Sequence, residues 1–157
     1  MTKVRILEEA DLDFAKSLTD AEEWGNSIED WQRLLRISIP LVAYKGDELL
    51  GVTTAFDYGI LGMIGNVVVS ENSRGKGVGQ ALVKEAMNRL ESCKTVRLHS
   101  KMDVVSFYKD LGFFPEGMST FFRLDGDMKS FQPFVISSDV NIVPAEGYWD
   151  DIIAMDK

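Results

Sequence analysis

An apolar, β-branched run that leads through a glycine-rich turn into a helical pattern constrains this fold more than any other part of the chain. The run is Met63–Val69 (MIGNVVV), and residues of this kind favour a strand in the interior of a sheet. The helical pattern covers Gly77–Cys93, where apolar residues form one stripe. Between the two lies Arg74–Gly79 (RGKGVG). This order places backbone N–H groups beside the positive end of a helix dipole, which predicts an anion site.

The spacing of the glycines indicates which anion the turn would bind. A Walker-type nucleotide loop requires G-x-x-x-x-G-K-[ST], but Gly77 follows Lys76, and Ser70 stands where the first glycine would be. A dinucleotide fingerprint requires G-x-G-x-x-G, and Gln80 occupies its third glycine position. Both classes are excluded, and the spacing that remains is R-x-x-G-x-G over Arg74–Gly79.

The rest of the sequence predicts a mixed α/β domain over residues 1–124. Ser27 and Asp30 have the spacing of a capping box, which predicts a helix that begins near Ile28. Two further short extended pieces are expected within 113–124. The other predicted strands are 3–7, 41–44, 49–56, 63–69 and 95–99, and the other predicted helices are 11–20, 77–93 and 104–111.

Charge and composition limit the classes of partner. The net charge is −8, whereas nucleic-acid binding needs clustered Lys and Arg, so we expect no nucleic-acid partner. The acidic surface suits a cationic partner such as an amine or a basic peptide, or it only keeps the protein in solution. No apolar run is long enough to span a membrane, and the first residues contain no apolar signal core. With Cys93 as the single cysteine, expected in the core, we predict a cytoplasmic protein without disulfides or a membrane partner.

Two segments resemble the GNAT family of N-acetyltransferases. NVVVSENSRGKGVGQALV (66–83) is similar to the family's acetyl-CoA-binding motif, and VSFYKDLGF (105–113) is similar to its F-Y-x-x-x-G-F segment on the penultimate helix. The order of elements over residues 1–124 fits as well. The resemblance implies a GNAT fold, in which a mostly antiparallel sheet splays at the cofactor site and about four helices flank it. It also implies transfer of the acetyl group of acetyl-CoA to a primary amine by direct attack in a ternary complex, with no metal.

The resemblance also implies which residues contact the cofactor. Main-chain groups of Asn66–Val69 would lie along the pantetheine arm, and the N–H of Val67 or Val68 would polarise the thioester carbonyl. The glycine-rich turn would bind the pyrophosphate of coenzyme A. Lys101 departs from the family's pattern, since relatives often carry Asn there. The implied cofactor-binding set is Asn66, Val67, Val68, Val69, Arg74, Gly75, Lys76, Gly77, Val78, Gly79, Gln80, Lys101 and Tyr108.

Catalysis, as the resemblance implies it, needs a proton donor and a way to obtain a neutral amine. Tyr108 would protonate the departing thiolate, because a phenol with a pKa near ~10 is neutral at pH 7; the alternative is that it only packs beside Phe107. Relatives often place a Glu on the strands before the glycine loop, but within 49–70 the only acid is Asp57. Asp57 is a candidate base that acts through a water, or it is a turn residue before Gly59. A third alternative is an acceptor that binds already neutral.

The acceptor side is less defined by the sequence. We expect Trp24, Phe56 and Tyr58 to line the acceptor pocket, whereas Trp31 suits the core at least as well. The acceptor would be the amine of a small molecule, a peptide N-terminus or a lysine. His99, the only histidine, is expected to be structural. Two other functions stay open: a non-catalytic acyl-CoA-binding sensor module, and transfer of a longer acyl group.

The C-terminal region is set apart from the domain over 1–124. Residues 125–137 contain turn formers and polar residues and predict a linker. Residues 138–157 then predict a strand and a helix that either open a second copy of the N-terminal unit or dock on the domain or a partner subunit. AEEWGNSIEDWQRLL (21–35) resembles a GNAT subgroup with a second, GNAT-like C-terminal domain, which favours a truncated repeat. A homodimer stays open.

Overall fold

The computed structural model of the chain describes residues 1–120, and residues 1–116 form one compact unit. The predicted linker at 125–137 and the predicted strand and helix at 138–157 lie outside the described residues. Of the two extended pieces expected within 113–124, the described part, 113–120, contains neither a helix nor a strand.

Five strands and four helices form in this part of the chain, in the order that the sequence predicts. Short 3₁₀ turns precede α1, α3 and α4. None of the helices within residues 1–120 is long and apolar enough to cross a bilayer. The elements are β1 Lys3–Ile6, α1 Leu12–Ala21, α2 Ile28–Ile37, β2 Ile39–Lys45, β3 Glu48–Asp57, β4 Leu61–Val69, α3 Val78–Arg89, β5 Thr95–Leu98 and α4 Val105–Asp110.

The strands form one mixed sheet in the order β1-β2-β3-β4-β5. Every neighbouring pair is antiparallel except β4 and β5, which run parallel because α3 connects them. Their pairing ends early, since the last partners in register are Ile64 and Leu98, although β4 continues to Val69. The sheet therefore opens between β4 and β5 at the end where the glycine-rich turn begins.

Local interactions fix where the N-terminal elements begin. Ser27 accepts a hydrogen bond from the backbone N–H of Asp30, and the Asp30 carboxylate accepts one from the N–H of Ser27, so the predicted capping box starts α2. Ahead of α1, the Asp11 carboxylate accepts two hydrogen bonds from the Arg5 guanidinium, at 2.6 and 2.9 Å, and one from the N–H of Glu8. These bonds hold the pKa of the buried Asp11 below its ordinary value.

Helices cover both faces of the sheet. The α3 stripe of Val78, Leu82 and Ala86 is buried against one face, and α1 and α2 pack on the other, with the Trp31 side chain fully buried. Trp31 is thus a core residue. The mixed α/β class, the mostly antiparallel sheet with its opening and the four flanking helices are confirmed.

Candidate active site

A cleft of about 630 Å³ opens where β4 and β5 part. A volume of this size suits a cofactor or drug-sized ligand. Its walls are the end of β4, the glycine-rich turn with the start of α3, the segment after β5, and α4. The structure brings together here these predicted residues: Trp24, Asn66, Val67, Val68, Val69, Arg74, Gly75, Gly77, Val78, Gly79, Gln80, Lys101 and Tyr108.

The β4 wall of the cleft is irregular. Between the registered pairs Val52–Val68 and Thr54–Gly65, β4 contains two residues where β3 contains only Thr53, which is a β-bulge. Asn66, in this bulge, has a φ of 51°, a left-handed conformation that is uncommon for a residue with a side chain. The bulge interrupts the ladder with β3 at the level where the pairing with β5 ends, so main-chain groups of β4 are available to a ligand.

The glycine-rich turn presents backbone N–H groups. Gly75 and Gly77 have φ values of 71° and 79°, conformations that favour glycine, and Gly77 is the residue that precedes α3. Among the described residues, the N–H groups of 75–80 donate no hydrogen bond. Amides of the first helical turn have no acceptor within the helix, and the helix dipole makes this end positive. The turn and the start of α3 together form an anion-binding element.

Two cations at the cleft share one carboxylate. Glu22, directly after α1, accepts a hydrogen bond from Arg74 Nη2 at 2.6 Å and one from Lys101 Nζ at 2.9 Å. Arg74 Nε also donates to the carbonyl of Val69 at 3.1 Å. The two cations hold the pKa of Glu22 below its ordinary value, Lys101 with the larger effect. Glu22 is not identifiable from the sequence, since no local motif marks a residue whose partners are 52 and 79 positions away.

Tyr108, on α4, is the buried titratable group of the cleft. Its side chain is 9% exposed and makes edge-on contacts with the rings of Phe107, at 4.9 Å between centroids, and Phe113, at 6.1 Å. Burial raises the pKa of the Tyr108 hydroxyl, so the phenol is neutral over the physiological range. Phe107 also lies 3.4 Å from the point where a Cβ on Gly79 would stand, which brings α4 against the start of α3.

Four predicted site residues do not line this cleft. Asp57 is opposite Gly62 at the far end of the β3–β4 pair, and its carboxylate accepts a hydrogen bond from the N–H of Gly59 at 2.7 Å, the geometry of a turn residue. Phe56 and Tyr58 stack on each other near the same hairpin, with Tyr58 65% exposed. Lys76 instead donates from Nζ to the carbonyl of Asn72 at 2.7 Å. The strand register explains the positions of Asp57, Phe56 and Tyr58, because the cleft is at the other end of β4.

The structure adds cleft residues that the sequence analysis did not assign to it. His99 and Ser100 follow β5 directly, and Asp103 and Asp110 belong to the region of α4. For His99, the sequence signal of a place in the cleft was its position directly after β5, a strand that borders the opening. Trp24 lines the cleft and is 39% exposed. The cleft therefore has an aromatic side chain beside Glu22 on the α1 side.

Solved structures with the same fold include acetyltransferases. A Trypanosoma brucei acetyltransferase is similar over 79% of this chain and 100% of its own, with a TM-score of 0.66 and 23% identity. Glucosamine-6-phosphate N-acetyltransferase from Arabidopsis thaliana is similar over 80% of this chain and 99% of its own, with a TM-score of 0.65 and 20% identity. A Mycobacterium tuberculosis protein solved in complex with CoA is similar over 76% of each chain, with a TM-score of 0.65 and 20% identity. These likenesses show the fold.

Sequence comparison identifies the family. An uncharacterized N-acetyltransferase of Pyropia yezoensis, ycf52, is 33% identical over 93 residues, which are 55% of this chain and 53% of the relative. The chain thus aligns with about half the length of this curated relative. The model of the acetyltransferase (GNAT) family matches residues 4–113, which include the opening of the sheet, the glycine-rich turn and Tyr108. The chain belongs to the acetyltransferase (GNAT) family.

Proposed function

We propose that the protein is an N-acetyltransferase that moves the acetyl group of acetyl-CoA to a primary amine. The observation that carries the proposal is the row of N–H groups at 75–80, which donate no hydrogen bond among the described residues and border a cleft of about 630 Å³. Such groups at a helix N-terminus bind phosphate. Coenzyme A is an anionic cofactor with a long neutral arm, and the cleft combines a phosphate-binding end with an apolar β4 wall.

The irregular end of β4 is proposed to bind the pantetheine arm. An amide-containing arm is able to pair with the main chain of Asn66–Val69, since the ladder to β5 has ended at Ile64. A strand whose pairing partner diverges has unpaired N–H and C=O groups, which an extended ligand can use. The bulge at Asn66 and Val67 supports the proposal that the N–H of Val67 or of the neighbouring Val68 also polarises the carbonyl that reacts.

Tyr108 is proposed as the proton donor. When bound, acetyl-CoA supplies an activated thioester; the amine nitrogen forms a bond to its carbonyl carbon while the carbon–sulfur bond breaks. The departing sulfur takes a proton from the Tyr108 hydroxyl, and the proton that the amine loses restores the phenol through solvent. Burial keeps the hydroxyl protonated, because it raises the pKa of Tyr108. A positioned donor of this kind contributes roughly 10²–10⁴-fold in rate.

Asp57 is proposed to stabilise its hairpin turn instead of acting as a base. Its carboxylate accepts a hydrogen bond from the N–H of Gly59 and contacts Ser92 and Cys93 in the segment between α3 and β5, and it does not line the cleft, which supports a role in the turn. The acceptor amine then loses its proton to solvent, or binds in the neutral form.

The acceptor is proposed to approach past Trp24, and the acidic chain suits an amine that is cationic in solution. The related Arabidopsis enzyme is named for a small amino sugar phosphate, which supports small amines as the first acceptors to test.

The proposal is tested by acetyl-transfer assays of the full chain with acetyl-CoA and a panel of small amines and peptides. We expect turnover with at least one acceptor, and we expect Tyr108→Phe to lower kcat about 100-fold while the Kd for acetyl-CoA stays within about twofold. Tyr58→Phe is the matched control, since its hydroxyl is exposed and distant from the cleft, and it should keep full activity. Saturable acetyl-CoA binding without turnover for any acceptor would instead support the sensor module.

A further inference from the structure

Glu22 connects three segments that meet at the cleft. Its carboxylate follows α1, Arg74 is in the glycine-rich turn after β4, and Lys101 is in the segment after β5. One oxygen of Glu22 is 2.6 Å from Arg74 and the other is 2.9 Å from Lys101, and all three residues line the cleft. The carboxylate thus forms an ion pair with one cation on each side of the opening between β4 and β5.

These two cations are the positive side chains that line the cleft within the described residues. The other charged lining residues are acids, Asp103 and Asp110, so Glu22 makes the lining negative overall. Lys76, in the same turn, donates to the carbonyl of Asn72 and does not line the cleft. The phosphates of a ligand at the turn therefore meet Arg74 and Lys101 already paired with a carboxylate.

We propose that Glu22 is an internal counter-ion that competes with the phosphates of coenzyme A for Arg74 and Lys101, and that it lowers the affinity of the cleft for the cofactor. The inference rests on the proposed function and identifies a positioning residue at the same site. In the free protein Glu22 holds the two loops and the end of α1 together. When coenzyme A is bound, its phosphate oxygens replace the Glu22 carboxylate as the partner of at least one of the two cations.

The sign of the effect follows from the chemistry of the partners. Carboxylate and phosphate oxygens accept from the same guanidinium and ammonium donors, so the two anions compete for them. Any contact that Glu22 keeps in the complex puts its negative charge beside the phosphates, where like charges at a few ångströms repel. A purely structural Glu22 would have the opposite effect, because its removal would loosen both loops and weaken binding.

The test compares Glu22→Gln with Glu23→Gln by calorimetric titration with coenzyme A at low salt. The first variant keeps the shape of the side chain and removes its charge, and the second removes the same charge at the exposed neighbouring position. We expect Glu22→Gln to bind coenzyme A about fivefold more tightly, as one screened unit charge implies, and Glu23→Gln to stay within twofold. The gain should shrink at 0.5 M salt, because ions screen partly exposed charges. Without ligand, Glu22→Gln should melt at the same or a slightly lower temperature, since partly exposed ion pairs stabilise only weakly.

The outcomes separate this inference from the proposed function. If the unsubstituted protein shows no saturable binding of coenzyme A, the proposed function fails. If it binds and Glu22→Gln binds equally or less tightly, only the counter-ion role is overturned. A measurement on the unsubstituted protein covers the case of a variant that folds poorly: the carboxyl ¹³C resonance of Glu22 should shift on addition of coenzyme A, and an unchanged resonance would overturn the inference.

Discussion

At the scale of single residues, environment separates two residues that the sequence suggests for different proton transfers, Tyr108 as the donor and Asp57 as a candidate base. Tyr108 is enclosed by Phe107 and Phe113, and burial raises the pKa of its hydroxyl. Asp57 accepts a hydrogen bond from the N–H of Gly59, and this bond, the largest cause, lowers the pKa of its carboxyl. The first group keeps a proton that it can donate, and the second stays ionised in a turn. The sequence motif identified Tyr108, but only the strand register shows that Asp57 is at the wrong end of β4.

The raised pKa of Tyr108 leads to a prediction about pH. A donor must be protonated, and its proton is lost only above its own pKa, which burial places above the ordinary value near ~10. The rate of acetyl transfer should therefore rise or stay level from pH 7 to about 10, as more of the acceptor amine becomes neutral. The measurement is kcat/KM across this range at constant ionic strength. A loss of activity with a midpoint below about pH 9 would contradict the role of Tyr108.

At the scale of elements, the sequence predicts the strand, turn and helix but not how β4 departs from regular pairing. The β-branched run and the glycines specify element type through local preferences. The bulge at Asn66 and the end of pairing at Ile64 depend on β3 and β5, which are far away in the sequence. The glycine-rich turn was thus interpretable from local residues, and the cleft beside it required the whole sheet.

Gly51, on β3, gives a prediction about how closely the elements pack at the cleft. A Cβ on Gly51 would stand 2.7 Å from the carbonyl oxygen of Val68 and 3.2 Å from Leu82, so Gly51→Ala forces β3, β4 and α3 apart. We expect a loss of about 1–3 kcal/mol in the free energy of unfolding, measured by urea denaturation. Gly117→Ala is the control, since a Cβ there meets nothing within 4 Å. Equal stability of the two variants would show that the β3–β4 contact is looser than the structure has it.

At the scale of the whole molecule, one sheet organises a site from segments that are distant in the chain. The family and most of the residues that line the cleft beside the glycine-rich turn were predictable, because two local motifs contain them, and the order of elements was predictable from local patterns. The bridge from Glu22 to Arg74 and Lys101 was not, because it joins positions 52 and 79 residues apart. The acceptor side was the least predictable, since Phe56 and Tyr58 have suitable side chains, but Phe56 is opposite Met63 near the far end of β4 and Tyr58 is in the hairpin beyond it. The types of side chain in the sequence suggest which chemical roles are possible, and the strand register determines which of these side chains lie close together.

The most direct test of the central claim is a titration of the ¹⁵N-labelled protein with coenzyme A, followed by the amide resonances. We expect saturable shifts concentrated in the N–H groups of 75–80 and in Asn66–Val69, at the cleft. The amides of the β3–β4 hairpin, from Asp57 to Ile60, should stay unchanged, since they are at the other end of β4. Saturable binding whose shifts avoid residues 75–80, or no binding at all, would contradict the assignment of this cleft to the cofactor.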